Sequence, residues 1–198
     1  MEHIYLYLTK SKTTVAKAIR LATKKPYSHV SISDSIDKFY SFARTYKHFM
    51  LPATFNPETI DKGVFGDTKV IPCEIYDIPV TSEQKAVYDA LINHFITNRK
   101  KYSYNTLGLF LIPLRINYSR KNKYLCSQFV AHILDVMGFN LGKPVFMFTP
   151  EDFRIVFSKY LIYQGELKEF VHNVKLGLLS SQGEIYNDVN QVSLSSKS

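Results

Sequence analysis

The feature that most narrows the fold is the strict alternation of Ser28-His29-Val30-Ser31-Ile32-Ser33. Val30 and Ile32 point one way, and His29, Ser31 and Ser33 point the other. That is the period of a strand with one apolar face. A turn over 34–38 and a second strand-like run, Phe39 to Arg44, follow at once, so the pair reads as a hairpin. Residues 3–9, where Ile4, Leu6 and Leu8 alternate, add a strand. Residues 69–78 add another, with Ile71, Cys73 and Ile75 on one face.

Helical spacing breaks up this pattern. Val15, Ala18, Ile19 and Ala22 share a face over 13–24, and Pro26 ends that helix. Thr81 and Gln84 form a capping box for a helix over about 82–99, striped by Tyr88, Leu91, Ile92 and Phe95. A helix starting near Cys126 carries Phe129, Val130, Ile133, Leu134 and Met137, and Gly138 closes it. Thr149 caps a short helix with Pro150 at its first position. Leu161 to Tyr163 and Leu167 to Val171 read as one or two further strands. Residues 45–68, with Pro52, Pro57, Gly63 and Gly66, read as a long loop, a lid or groove wall, and 102–123 as another. From about Ser180 the chain is polar and serine-rich. The irregular order predicts an α+β domain over 1–179, a small antiparallel sheet against helices, followed by a flexible tail over 180–198.

Composition limits the partners. Lysine and arginine number 25 against 17 acidic residues, a net charge of +8. The denser clusters are Arg99-Lys100-Lys101 and Arg120-Lys121-Asn122-Lys123. Elsewhere the charges are scattered, which describes a basic solvated surface. Peripheral contact with an anionic membrane is compatible with it, and no nucleic acid is expected as partner. The 14 Tyr and 14 Phe suit an aromatic core. The first apolar run is too short for a secretion signal, and nothing approaches the roughly 20 apolar residues of a membrane span, so a cytoplasmic location is expected. The two cysteines would then be reduced. No Cys or His pair has zinc-site spacing, and neither a metal nor a cofactor is expected.

Cys73, between Ile71 and Ile75, reads as a small buried hydrophobe. Cys126 lies at the first turn of its helix, where unpaired N–H groups and the helix dipole favour a thiolate, and Arg120, Lys121 and Lys123 precede it. It also shares a face with Phe129, Val130 and Ile133, so the local pattern alone leaves a core role open. Among the six histidines, His29 is placed on a strand, on a face it shares with serines. A strand holds an imidazole rigidly, as a catalytic base requires.

Two segments together carry a family likeness. Pro26-Tyr27-Ser28-His29-Val30-Ser31-Ile32 resembles the histidine strand of the circularly permuted, YiiX-like branch of the NlpC-type papain-like hydrolases. Tyr124-Leu125-Cys126-Ser127-Gln128-Phe129-Val130 resembles that branch's cysteine helix. Histidine precedes cysteine, the permuted order. Tyr102 to Gly108 resembles the family's tyrosine-containing segment, and Thr149-Pro150-Glu151-Asp152-Phe153 its later helix start. The likeness runs from about residue 3 to 172.

The resemblance implies a permuted papain-like fold and a thiol hydrolase or acyltransferase. Cys126 would be the nucleophile and His29 the base, acting on an amide, isopeptide or acyl-ester bond through a thioester. Small peptides, isopeptides and acyl lipids are the implied substrates. The family also supplies a polar residue from the next strand to orient the histidine. That strand reads Phe39-Tyr40-Ser41-Phe42-Ala43-Arg44 and holds no carboxylate. Ser41 is the best match, with Asp34 in the turn as runner-up. Tyr27 and Tyr104 are candidates to line the substrate site. The competing readings are a catalytically silent ligand-binding module on the same fold, and a basic binder of nucleic acid or anionic membranes.

Overall fold

A computed structural model of the protein describes residues 1–10, 25–44, 53–66, 68–105, 108 and 120–179. The helix expected over 13–24, parts of the segments 45–68 and 102–123, and the tail from 180 lie outside those residues. The described chain is α+β. Strands β1 (Glu2–Thr9), β2 (His29–Ser33), β3 (Lys38–Arg44), β4 (Ala53–Thr59) and β5 (Pro72–Val80) share one sheet. β6 (Ser103–Tyr104) and β7 (Lys123–Tyr124) form a short parallel pair, and β8 (Leu161–Glu166) returns to the sheet. The order is β4-β3-β2-β1-β5-β8, and every neighbouring pair is antiparallel.

The sheet is covered on both faces. Ile4, Leu6, Leu8, Val30, Ile32, Phe42 and Phe55 face helices α2 (Ser82–Thr97) and α3 (Cys126–Val136). At the centre of this core Phe95 meets Phe129 edge-on at 5.0 Å between ring centroids, with Phe42 and Phe55 alongside. Edge-to-face packing of this kind satisfies the ring quadrupoles. On the other face Tyr5, Tyr7, Phe39, Ile71, Cys73 and Ile75 pack with α5 (Leu167–Lys175) and with Phe65 of the short helix α1 (Gly63–Gly66). The remaining helix, α4 (Pro150–Val156), follows Thr149 as its capping residue. So the aromatic-rich sequence does supply core, on both sides of the sheet.

Two expectations are corrected. Residues 53–59 are the edge strand β4 rather than loop. Pro57 hid it, yet an edge strand tolerates proline because its outer N–H positions have no sheet partner. Leu167 to Val171 is helical. Leu167, Phe170, Val171 and Val174 recur at helical spacing, and the Glu166 side chain caps the first turn by accepting from the Glu169 N–H at 2.8 Å.

The local signals at α2 and α3 hold. Thr81 Oγ1 accepts from Gln84 N–H at 3.2 Å, and Gln84 Oε1 accepts from Thr81 N–H at 3.0 Å. Thr81→Ala is expected to lower stability by about 1 kcal/mol, read as the shift in urea midpoint at unchanged slope. No shift would mean that water replaces the cap. Gly138 ends α3 with φ 87°, the left-handed conformation that closes a helix. The Phe139 N–H then reaches back to the Leu134 carbonyl.

Candidate active site

His29 is the first residue of β2, paired with Thr9 at the end of β1. Its side chain follows the strand alternation and lies with Ser31, on the face opposite Val30 and Ile32. Cys126 is the first residue of α3, which packs on the Val30 and Ile32 face. Both residues stand at the ends of their elements. Cys126 is among the groups that raise the His29 pKa.

The partner that orients His29 is Glu58 on β4. Its Oε2 lies 3.1 Å from His29 Nε2. Ser31 Oγ donates to the same carboxylate oxygen at 3.0 Å and is 3.2 Å from Nε2. The carboxylate is buried, with its side chain 9% exposed, and the imidazole is 14% exposed. Burial alone would drive the imidazolium to lose its proton. The Glu58 charge, with hydrogen bonds to Cys126 and Glu58, outweighs burial and raises the His29 pKa to about 10.

This corrects the sequence-based choice of orienting residue. Ser41 Oγ donates to the Val30 carbonyl at 3.1 Å, tying β3 to β2. Asp34 is salt-bridged to Lys85 at 3.1 Å. Glu58 was missed because its strand was read as loop, although Phe55, Asn56 and Glu58 do alternate. Tyr27 is a buried member of the core, and burial together with Glu74 pushes its hydroxyl up to about 12. Tyr104 is half-buried in β6 and packs against the same core.

The start of α3 is fixed from two sides. Leu125 has no polar side chain to cap the first turn, and Gln128 Oε1 accepts the Leu125 N–H at 3.0 Å instead. Ser127 Oγ donates to the Phe148 carbonyl at 2.6 Å, and Gln128 Nε2 to the Phe146 carbonyl at 3.2 Å. The N–H groups of this turn point along the helix axis toward its N-terminal end, a suitable environment for a developing negative charge.

Cys73 lies in the opposite core, and burial pushes its thiol up to about 12. That agrees with a purely hydrophobic role. Among the described residues no helix is long and apolar enough to cross a membrane, and no cluster of three or more His, Cys, Asp or Glu side chains could hold a metal. No protein-family model, curated protein or solved structure matches the chain.

Proposed function

We propose that the protein is a thiol hydrolase or acyltransferase of the permuted papain-like, NlpC type, with Cys126 as nucleophile, His29 as proton carrier and Glu58 as the residue that positions His29. The observation that carries this reading is the buried His29 imidazole 3.1 Å from the buried Glu58 carboxylate, with Glu58 and Cys126 among the groups that raise its pKa and Cys126 at a helix N-terminus. A helix headed by the cysteine, packed on a sheet that contains the histidine strand, supports the fold assignment.

The chemistry follows from where the protons rest. Nε2 is held by Glu58, so proton exchange with the sulfur is assigned to Nδ1. In the reacting pair the proton is carried by His29, and the sulfur of Cys126 is the nucleophile. The sulfur attacks the carbonyl carbon of an amide or ester, and the oxyanion that forms is stabilised at the α3 N-terminus. His29 gives its proton to the departing amine or alcohol as the carbon–heteroatom bond breaks, leaving a thioester on Cys126. Water or another acceptor then attacks this thioester while neutral His29 removes the acceptor's proton. The thiolate leaves and the reacting pair is restored. Glu58 stabilises the imidazolium and fixes the ring plane, the role a triad carboxylate performs.

Alkylation by iodoacetamide, located by mass spectrometry across a pH series, tests the pair without a known substrate. Cys126 is expected to be modified readily at neutral pH. His29→Ala should remove that reactivity, while Cys73 stays unmodified as an internal control. Should Cys126 prove as inert as Cys73 at every pH, the catalytic reading fails and ligand capture without turnover replaces it.

A further inference from the structure

A pocket of about 260 Å³ is lined by Arg120, Lys121, Asn122, Lys123, Tyr124, Gln128, Val145 and Phe146. Gln128, in the first turn of α3, brings the pocket to the N-terminal end of that helix, and Cys126 itself is not among the lining residues. Three of its lining side chains are cations and none is an acid. No salt bridge to Arg120, Lys121 or Lys123 occurs among the described residues, whereas Lys85, Lys143, Arg154 and Lys175 all have acidic partners. The cations lie on the 120–123 turn, where Asn122 has φ 59°. The opposite wall is apolar: Phe146 is 40% exposed, and its neighbour Met147 is 39% exposed. Gln128 is occupied by Leu125 and Phe146, so it shapes the pocket and leaves ligand binding to the cations.

A cluster of cations with no acidic partner among the described residues, next to an exposed aromatic ring, matches a ligand with an acidic head and an apolar tail. We infer that this pocket is a recognition site for an anionic amphiphile, with the acidic group on Arg120, Lys121 and Lys123 and the tail along Val145 and Phe146. Resting on the thiol-acyl-transfer reading above, it makes the acyl donor an acidic amphiphile whose head is held near the first turn of α3. A polar peptide would leave the Phe146 wall unused.

The test uses the full chain carrying Cys126→Ala, so that binding is measured without turnover. Octyl phosphate, octanoate, octanol and inorganic phosphate are titrated by calorimetry below their aggregation concentrations, with hexaglutamate as the peptide probe. Octyl phosphate or octanoate, or both, should bind at least tenfold more tightly than octanol and inorganic phosphate, and the comparison between the two identifies the preferred head. Arg120→Ala/Lys121→Ala/Lys123→Ala should lower that affinity at least tenfold, and Phe146→Ser severalfold. Lys100→Ala/Lys101→Ala, which removes charge from another exposed turn, should leave it unchanged. Equal losses from both basic clusters would show a general charge effect and overturn the proposal, as would tighter binding of hexaglutamate. Alkylation of Cys126 in the pocket variants, made in the otherwise wild-type chain, separates the two ideas. Normal alkylation with no amphiphile binding by the Cys126→Ala chain refutes the pocket and spares the thiol chemistry. Amphiphile binding with an inert Cys126 does the reverse.

Discussion

Glu58→Gln should lower iodoacetamide modification of Cys126 at pH 6–7 by an order of magnitude or more. The substitution keeps size and most hydrogen-bonding capacity but removes the charge that offsets the burial of His29. Burial then dominates, and the imidazole pKa falls from about 10 toward or below its ordinary 6.5. With the proton no longer held on His29 at neutral pH, the proposed nucleophile loses its cationic neighbour. An NMR titration of the His29 ring should show the same fall directly. Stability carries a matching signature. The folded-state pKa of His29 lies above its unfolded value, so its contribution is fully present below pH 6.5 and is lost as pH rises toward about 10. The wild-type protein should lose this part of its stability across that window, and Glu58→Gln should show a flatter profile there. Unchanged alkylation in Glu58→Gln would remove Glu58 from the mechanism and leave Ser31 and solvent as the only polar support for the ring.

Arg154→Met should destabilise the fold by roughly 3 kcal/mol, the lower end for breaking a buried pair because Arg154 is one-third exposed. Glu74 on β5 is 1% exposed, and Arg154 grips it with both ends of its guanidinium. Nε is 2.7 Å from Oε2 and the second terminal nitrogen is 2.9 Å from Oε1. Tyr76 donates its hydroxyl to the same carboxylate at 2.5 Å, and the Arg154 guanidinium lies 5.6 Å from the centre of the Tyr27 ring. Removing the arginine strands a buried charge that the tyrosine hydroxyl alone cannot neutralise. At about 2–4 °C per kcal/mol for a chain of this size, the thermal midpoint should fall by about 6–12 °C. Glu74→Met/Arg154→Met leaves no stranded charge and should lie closer to the wild type. A single variant within about 0.5 kcal/mol of wild type would mean that water reaches Glu74.

The elements that local chemistry specifies were legible in the sequence. Alternation over 28–33 marks β2, the Thr81 and Gln84 pair starts α2, Cys126 opens α3, Gly138 closes it, and Pro150 begins α4. Each signal is complete within a few residues, because strand period, capping and the left-handed helix end are properties of neighbouring backbone. The likeness around His29 and Cys126 singled out a histidine that begins a strand and a cysteine that begins a helix. Short apolar runs were less secure: Leu167 to Val171 fits either period when read alone, and only its seat against Phe39, Ile71 and Ile75 made it a helix.

What only the tertiary structure decided is the set of charges that act on those residues. Glu58 lies 29 positions from His29 and on an edge strand that Pro57 disguised. Glu74 and Arg154 are 80 positions apart. The basic wall at 120–123 faces Val145 and Phe146 from a different loop. A carboxylate raises the pKa of an imidazole by its distance and by the dielectric around it, and neither is encoded in the periodicity of a segment. The sequence determined which side chains were present and which local elements held them. Sheet order and burial determined which carboxylate reached His29, and so where the proton rests.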